Sequence, residues 1–239
     1  MIIDNFNRAR ISVLGESVYT DGVGGLNERS LHKILKYAIE PRQEYHEVKY
    51  LGSIADIKNE EGIFEIQTKL AYKLRPKLER FLLYERVTLV IPIIEEKYVT
   101  YLEDGQMSKP RKSPKSENIY TALNSAAFAS SLLENDNFSI MLIYLRADEY
   151  KYRAKKRGQR KIDVIPSLIL RTEVLSSPCD LRKYFPTTVS EQFVAADFSR
   201  AIKKPSRFTY FVIKFFEGLG FIEEIGLCGR AKLYKIKDK

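Results

Sequence analysis

Asp56 and Glu65 stand nine residues apart, on either side of the turn Asn59-Glu60-Glu61-Gly62. A hairpin folded at that turn brings the two carboxylates close together. Side chains alternate along a strand. Glu65, Gln67 and Lys69 are therefore expected on one face of a strand over residues 62–70, with Phe64 and Ile66 on the other. Two carboxylates converging on one point suit Mg²⁺ (or Mn²⁺), a hard cation that takes oxygen ligands and keeps several waters. Such a cation generates hydroxide and steadies the charge on a phosphate under attack. An amphipathic hairpin with a solvated polar face is the other account of the same residues.

Two basic stretches offer a different chemistry. Lys109-Pro110-Arg111-Lys112-Ser113-Pro114-Lys115 holds four cations in seven residues. Its prolines keep it extended, so Arg111, Lys112 and Lys115 can follow a phosphodiester backbone. Residues 151–161 mix cations with Tyr150 and Tyr152, a pattern that suits stacked single-stranded bases. For each stretch a solvated loop, or for the second a basic hairpin or linker, is the alternative.

These residues need elements to hold them. Residues 1–26 read as a lead-in, and Asn27 as the N-cap of a helix carrying Leu31, Ile34, Leu35, Ala38 and Ile39 up to Pro41. Three β-like segments follow (45–51, 52–58 and 62–70), then a helix over 73–84 and a continuous apolar run over 87–94. Such a run fits a strand covered on both faces. Residues 105–118 read as a loop, 119–133 as a helix and 138–145 as a buried strand. The order is that of an α/β domain ending near residue 150.

The stretch Ile54-Ala55-Asp56-Ile57 with Phe64-Glu65-Ile66-Gln67-Thr68-Lys69 resembles the PD-(D/E)XK superfamily of restriction-endonuclease-like nucleases, over residues 27–94. The resemblance implies Asp56 and Glu65 as metal ligands, with the Ile66 carbonyl as a further ligand. The superfamily's usual lysine is here Gln67, and Lys69 is the alternative carrier of that charge. Either would position the water or the scissile phosphate. The helix before the hairpin often lends an acid in this superfamily, which makes Glu28 a candidate third carboxylate and Glu40 a second choice. His32, four residues from Glu28 on the same helical face, is expected to be a surface histidine.

Residues 193–202 followed by 205–220 read as helix-turn-helix, with Pro205 at the start of the second helix. Two strands around a Gly226-to-Gly229 turn then form a wing. Residues 190–237 resemble the winged helix of prokaryotic transcription regulators. The resemblance implies a second helix in the major groove, offering Ser206, Arg207, Tyr210 and Lys214, and phosphate contacts from Arg230 and Lys232. Phe208, Phe211, Val212, Phe215 and Phe216 exceed one narrow apolar face, so a protein interface is also open. The combined architecture resembles a prokaryotic protein family with no assigned activity.

Composition agrees with these classes. The 239 residues carry 40 Lys+Arg against 31 Asp+Glu, a net charge of +9 that favours an anionic partner. With 44% hydrophobic residues the chain has material for real cores. Two cysteines and two histidines leave little for a zinc site and fit a reducing compartment. Neither a signal-peptide core nor a run of ~18 apolar residues occurs, so a cytoplasmic protein is expected.

The expected organisation is a lead-in (1–26), a restriction-endonuclease-like mixed sheet flanked by helices (27–150), a basic segment and connector (151–189) and a small α+β winged-helix domain (190–239). The expected function is a metal-dependent nuclease or a nuclease-derived DNA-binding protein, targeted by the winged helix. The alternative is a non-enzymatic DNA-binding regulator whose inactive nuclease-like domain serves dimerisation or partner binding. A protein-assembly module is a third class. DNA is the expected partner, RNA and a second copy of the chain are admissible, and a membrane is not expected.

Overall fold

The computed structural model describes residues 2–19, 30–103, 105–154 and 158–237. Its element order begins with α1 (Ile2–Tyr19), α2 (Ser30–Ile39), β1 (His46–Tyr50), β2 (Ser53–Asn59), β3 (Gly62–Ile66), α3 (Arg75–Leu82) and β4 (Val87–Glu103). It continues with β5 (Gln106–Met107), β6 (Arg111–Lys112), α4 (Ile119–Ser125), β7 (Phe138–Ala154) and β8 (Gly158–Leu175). The chain ends with β9 (Gln192–Val194), α5 (Ala195–Ile202), α6 (Ser206–Gly218), β10 (Ile222–Cys228) and β11 (Ala231–Ile236). Among the described residues there is one eight-stranded sheet, ordered β1-β2-β3-β4-β7-β8 with β5 and β6 against β4, and one three-stranded sheet, β10-β11-β9. The chain is a mixed α/β protein with a large sheet flanked by helices, as the element order led us to expect. Among the described residues no helix is long and apolar enough to cross a membrane.

The chain divides into two compact units that interleave along the sequence. The first comprises Met1–Ile66, Pro92–Asn118 and Ile143–Glu173. In it α1 packs on α2, burying Phe6, Ala9 and Val13 at helical spacing. Most of the expected lead-in is thus a helix, and its i, i+3, i+7 apolar positions were the signal. α2 buries Leu31, Ile34, Leu35 and Ala38. β1, β2 and β3 form an antiparallel meander, and Gly62 closes the second turn at φ 126°, a conformation costly for any other residue. Residues 105–118 are more ordered than the expected loop. β5 and β6 pair with β4 (Leu102 with Met107, Val99 with Arg111), and Glu117 Oε2 accepts the Ile94 N–H at 2.8 Å.

The second unit comprises Gln67–Ile91, Ile119–Leu142 and Val174–Lys239. The helix expected over 119–133 is split: α4 ends at Ser125 and a 3₁₀ segment runs Ala127–Glu134. Phe198, Phe215 and Phe216 are fully buried. Phe185 meets Phe198 and Phe216 edge-on at 5.7 and 5.1 Å between ring centres, a geometry favoured by the ring quadrupoles. The apolar surplus on α6 is therefore largely core. Asn124 Nδ2 donates to the Phe208 carbonyl at 2.8 Å, tying α4 to α6.

The expected cuts at 150 and 190 differ from this division. β7 continues to Ala154 and β8 runs from Gly158 to Leu175, so the described residues of the basic segment and much of the connector are strand. An apolar run, Val164 to Leu170 interrupted only by Ser167, follows the charge run at residues 151–161. The charge run resembles a linker in composition, whereas pairing makes its described residues strand.

Candidate functional site

The geometry around Asp56 follows from strand register. β2 and β3 pair Ile57 with Phe64, Lys58 with Ile63 and Asn59 with Gly62, so Asp56 stands level with Glu65. Beyond the Ile57–Phe64 pair, side chains take over the N–H groups. Ile66 N–H donates to Asp56 Oδ2 at 2.8 Å, and Asp56 N–H donates to Glu65 Oε1 at 3.2 Å. Glu65 is buried at 3% exposure, which an ionised carboxylate tolerates only when bonded or paired. The two carboxylates are thus level in register, each accepting a main-chain N–H from the other's strand.

α2 faces this pair with two basic side chains, four residues apart and thus on one helical face. His32 Nε2 lies 3.2 Å from Asp56 Oδ2, each side chain being about a fifth exposed (23% and 22%). His32 is therefore not the surface histidine expected. Lys36 is buried at 3% exposure, and its Nζ meets Glu47 Oε1 at 2.6 Å. β1 and β2 pair His46 with Ile57 and Val48 with Ala55, so Glu47 stands level with Asp56 on the other side. Glu47 has φ 53°, a left-handed conformation unusual for a residue other than glycine. Neither Lys36 nor Glu47 was singled out from sequence. The signal was a lysine on the flank of an apolar helical stripe.

Gln67 and Lys69 are placed differently from expectation. β3 ends at Ile66, so the alternation that would put them on the face of Glu65 stops short of them. The Gln67 side-chain amide donates to the Lys69 carbonyl, while the Lys69 side chain is exposed. Glu28 lies outside the described residues. Glu40 serves the fold instead: at 3% exposure, it accepts hydrogen bonds from Arg42 Nε at 2.9 Å and Asn59 Nδ2 at 3.0 Å. The Arg42 guanidinium holds its carboxyl down at about 2, against an opposing push from burial.

Among the described residues no three or more His, Cys, Asp and Glu side chains gather as a metal centre. Asp56 and Glu65 alone are a two-carboxylate donor set. That set fits Mg²⁺ or Mn²⁺, since Mg²⁺ binds proteins through one or two carboxylates and fills the remaining positions with water and substrate phosphate.

In the second unit α5 and α6 meet at a tight turn where Lys203 adopts φ 51°. Thr209, Val212, Ile213, Phe215 and Phe216 turn α6 inward, leaving Ser206, Arg207 and Tyr210 exposed. Several of the expected phosphate ligands are engaged. Lys214 Nζ meets Glu217 Oε2 at 2.5 Å and Lys232 Nζ meets Glu224 Oε2 at 2.6 Å. Each carboxylate raises its lysine's pKa. In the first unit Lys112 pairs with Glu96 at 3.6 Å, while Arg111 and Lys115 are exposed. Among the described residues Lys203, Arg207 and Arg230 are exposed and make no ion pair. Lys203, beside the helix turn, was not expected from the sequence. Its signal was the Lys203-Lys204-Pro205 turn itself.

A family model described as "Domain of unknown function (DUF8091)" matches residues 29–175. The chain belongs to the DUF8091 family. The matched segment holds Asp56, Glu65, Gln67, Lys69, Arg111, Lys112 and Lys115, and it stops at the last residue of β8. The α6 and β11 candidates lie beyond it. A protein of Treponema pallidum (strain Nichols), described as "Uncharacterized protein", is 26% identical over 215 residues, covering 87% of this chain and 85% of its own length. No solved structure matches the chain.

Proposed function

We propose that this chain binds duplex DNA through α5, α6 and the β10–β11 hairpin, and hydrolyses a phosphodiester bond at Asp56 and Glu65 with a divalent cation. The observation that carries the proposal is the pair itself: two carboxylates from adjacent strands, level in register, one buried and both held by main-chain N–H groups. Along the chain a meander of three strands, a helix and a further strand follow one another in the order of a restriction-endonuclease-like fold. β9, α5, α6, β10 and β11 follow the order of a winged helix, with β11 between β10 and β9.

Asp56 and Glu65 would hold the cation, Mg²⁺ or Mn²⁺, which supplies a hydroxide near neutral pH and screens the phosphate charge. Ile66 N–H and His32 orient the Asp56 carboxylate, and Asp56 N–H orients Glu65. Lys203, Arg207 and Arg230 are the cations available to the DNA backbone, because Lys214 and Lys232 are already paired with carboxylates.

The test is incubation of the purified chain with plasmid and single-stranded DNA, in Mg²⁺, Mn²⁺ or chelator, beside Asp56→Asn. Cleavage that needs both metal and Asp56 is the expected result. Cleavage by Asp56→Asn at the wild-type rate refutes the site. One observation favours a second proposal, a DNA-binding regulator without hydrolysis: the Gln67 amide is turned to the Lys69 carbonyl, and no lysine occupies that position. It predicts DNA binding with no cleavage under any metal.

A further inference from the structure

We propose that Lys36 is the cation of the Asp56/Glu65 site, the ammonium that meets the phosphate being cleaved. The inference rests on the hydrolytic proposal above. Three independent features lead to it.

The first is burial. The Lys36 side chain is 4% exposed while that of its partner Glu47 is 60% exposed. The ammonium thus sits where the covered face of the sheet opens to solvent, within reach of an anion arriving past Glu47. An apolar residue of similar length would fill the same space without desolvating a charge, so packing does not account for a lysine here. The second is strain. Glu47 holds a left-handed backbone conformation inside a strand, and residues kept in such conformations cluster at functional sites. Here it aims a carboxylate at Lys36.

The third is position. Lys36 follows His32 by one helical turn, and His32 is bonded to Asp56. Glu47 is level with Asp56 across one strand spacing, about 4.8 Å. The groups facing Lys36 and His32 from the sheet are therefore Glu47, Asp56 and Glu65, a row of carboxylates on β1, β2 and β3. Phosphodiester cleavage builds negative charge on the phosphate oxygens, and a fixed cation at that point is worth much of the rate. Gln67 cannot carry such a charge, and His32 bonds Asp56 itself, whereas the partner of Lys36 is Glu47, whose side chain is 60% exposed and can turn to solvent as an anion arrives.

The test compares wild type with Lys36→Met and Glu47→Gln in the full chain. It measures DNA cleavage, DNA affinity in chelator, and Mn²⁺ binding by calorimetry. Lys36→Met is expected to lower kcat by about 10²–10³-fold, with DNA affinity lowered far less than kcat, by no more than one phosphate contact supplies. Mn²⁺ should bind at least as tightly, because a nearby positive charge has gone. Glu47→Gln, a change at an exposed carboxylate, removes the countercharge and lowers the pH at which a buried ammonium gives up its proton. Its cleavage should fall off at lower pH than that of wild type as pH rises. Lys36→Met cleaving like wild type overturns the proposal. So does loss of Mn²⁺ together with cleavage, which would mean that Lys36 only props the carboxylates. An unmoved alkaline limb in Glu47→Gln overturns it even if Lys36→Met fails to fold. Wild type that neither binds Mn²⁺ nor cleaves removes the hydrolytic proposal and this one together, whereas an active wild type with an equally active Lys36→Met removes this one alone.

Discussion

The carboxylate of Asp56 has a structural task and a chemical one, and two substitutions separate them. Its Oδ2 accepts the Ile66 N–H at 2.8 Å and lies 3.2 Å from His32 Nε2. Ile66 is 4% exposed, so solvent does not readily replace that acceptor. Asp56→Ala leaves the donor unsatisfied, at about 1–3 kcal/mol. That is a sizeable part of the about 5–15 kcal/mol that holds a typical protein folded. Asp56→Asn retains a carbonyl oxygen for Ile66 and drops only the charge, so its loss should be about 1 kcal/mol. For a chain of this size each kcal/mol moves the melting temperature by about 2–4 °C, which puts the alanine variant about 2–12 °C below wild type and the asparagine variant between them. Thermal melts and urea titrations followed by circular dichroism read this order, and plasmid cleavage reads the chemistry on the same samples. Both variants should be inactive. An alanine variant as stable as wild type refutes the bond from Ile66. An asparagine variant that cleaves refutes the role as metal ligand.

Three further outcomes are expected. Arg42 depresses the Glu40 carboxyl from 4.5 to about 2, so ionised Glu40 stabilises the fold above pH 4.5 and that contribution is lost as pH falls toward 2. Glu40→Gln should flatten the decline of urea midpoints across that window, and an unchanged slope would contradict the clamp. In DNA binding, Arg207→Ala should reduce the slope of log affinity against log salt by about 0.9, the value for one phosphate contact. Lys232→Ala should leave it unchanged because Glu224 already holds that ammonium. Equal slopes for the two variants would reverse the assignment. Finally, a Cβ at Gly218 would overlap Ser130 Oγ, so Gly218→Ala should destabilise by about 1–3 kcal/mol. Ser130→Ala in the same chain should recover much of the loss, and strict additivity would show that the two residues do not meet.

Local signals carried the hairpin. The Asn59-to-Gly62 turn and the alternation of residues 62–66 set the register that makes Asp56 and Glu65 level. The C-terminal element order was legible for a similar reason, since Pro205, Gly220 and Gly229 punctuate short segments. Alternation misled at Gln67 and Lys69, because where a strand ends depends on pairing partners that no local pattern contains. α1 was missed although its apolar spacing was present, because the polar residues between Phe6, Ala9 and Val13 masked a narrow stripe. Lys36 and Glu47 were hidden for a deeper reason. Their pairing needs the angle at which α2 crosses β1, a tertiary quantity. Ion pairing is likewise non-local: Lys112, Lys214 and Lys232 look like free cations in sequence, and only the fold shows which carboxylate each one meets.

The cluster under α2 makes little sense as a device for stability. A lysine and a glutamate, each 3% exposed, carry desolvation penalties that apolar residues of similar volume avoid, often with a gain in stability. Glu47 adds backbone strain of about 1–3 kcal/mol. The neighbouring pair Glu40–Arg42 shows what a structural ion pair in this unit looks like: a bridge from the end of α2 to the β2–β3 turn through Asn59 and Glu60, with no strained member. His32, Lys36, Glu47, Asp56 and Glu65 differ in that their charges face one another across a helix–sheet boundary that opens to solvent at Glu47. An ammonium and an imidazole on one side and carboxylates on the other suit an anion that arrives with a divalent cation, which is the form in which a phosphodiester meets a hydrolytic site. A purely structural cluster would tolerate joint replacement of Lys36 and Glu47 by Met and Gln with no loss but stability. A hydrolytic one would keep its fold under that double change and lose its cleavage.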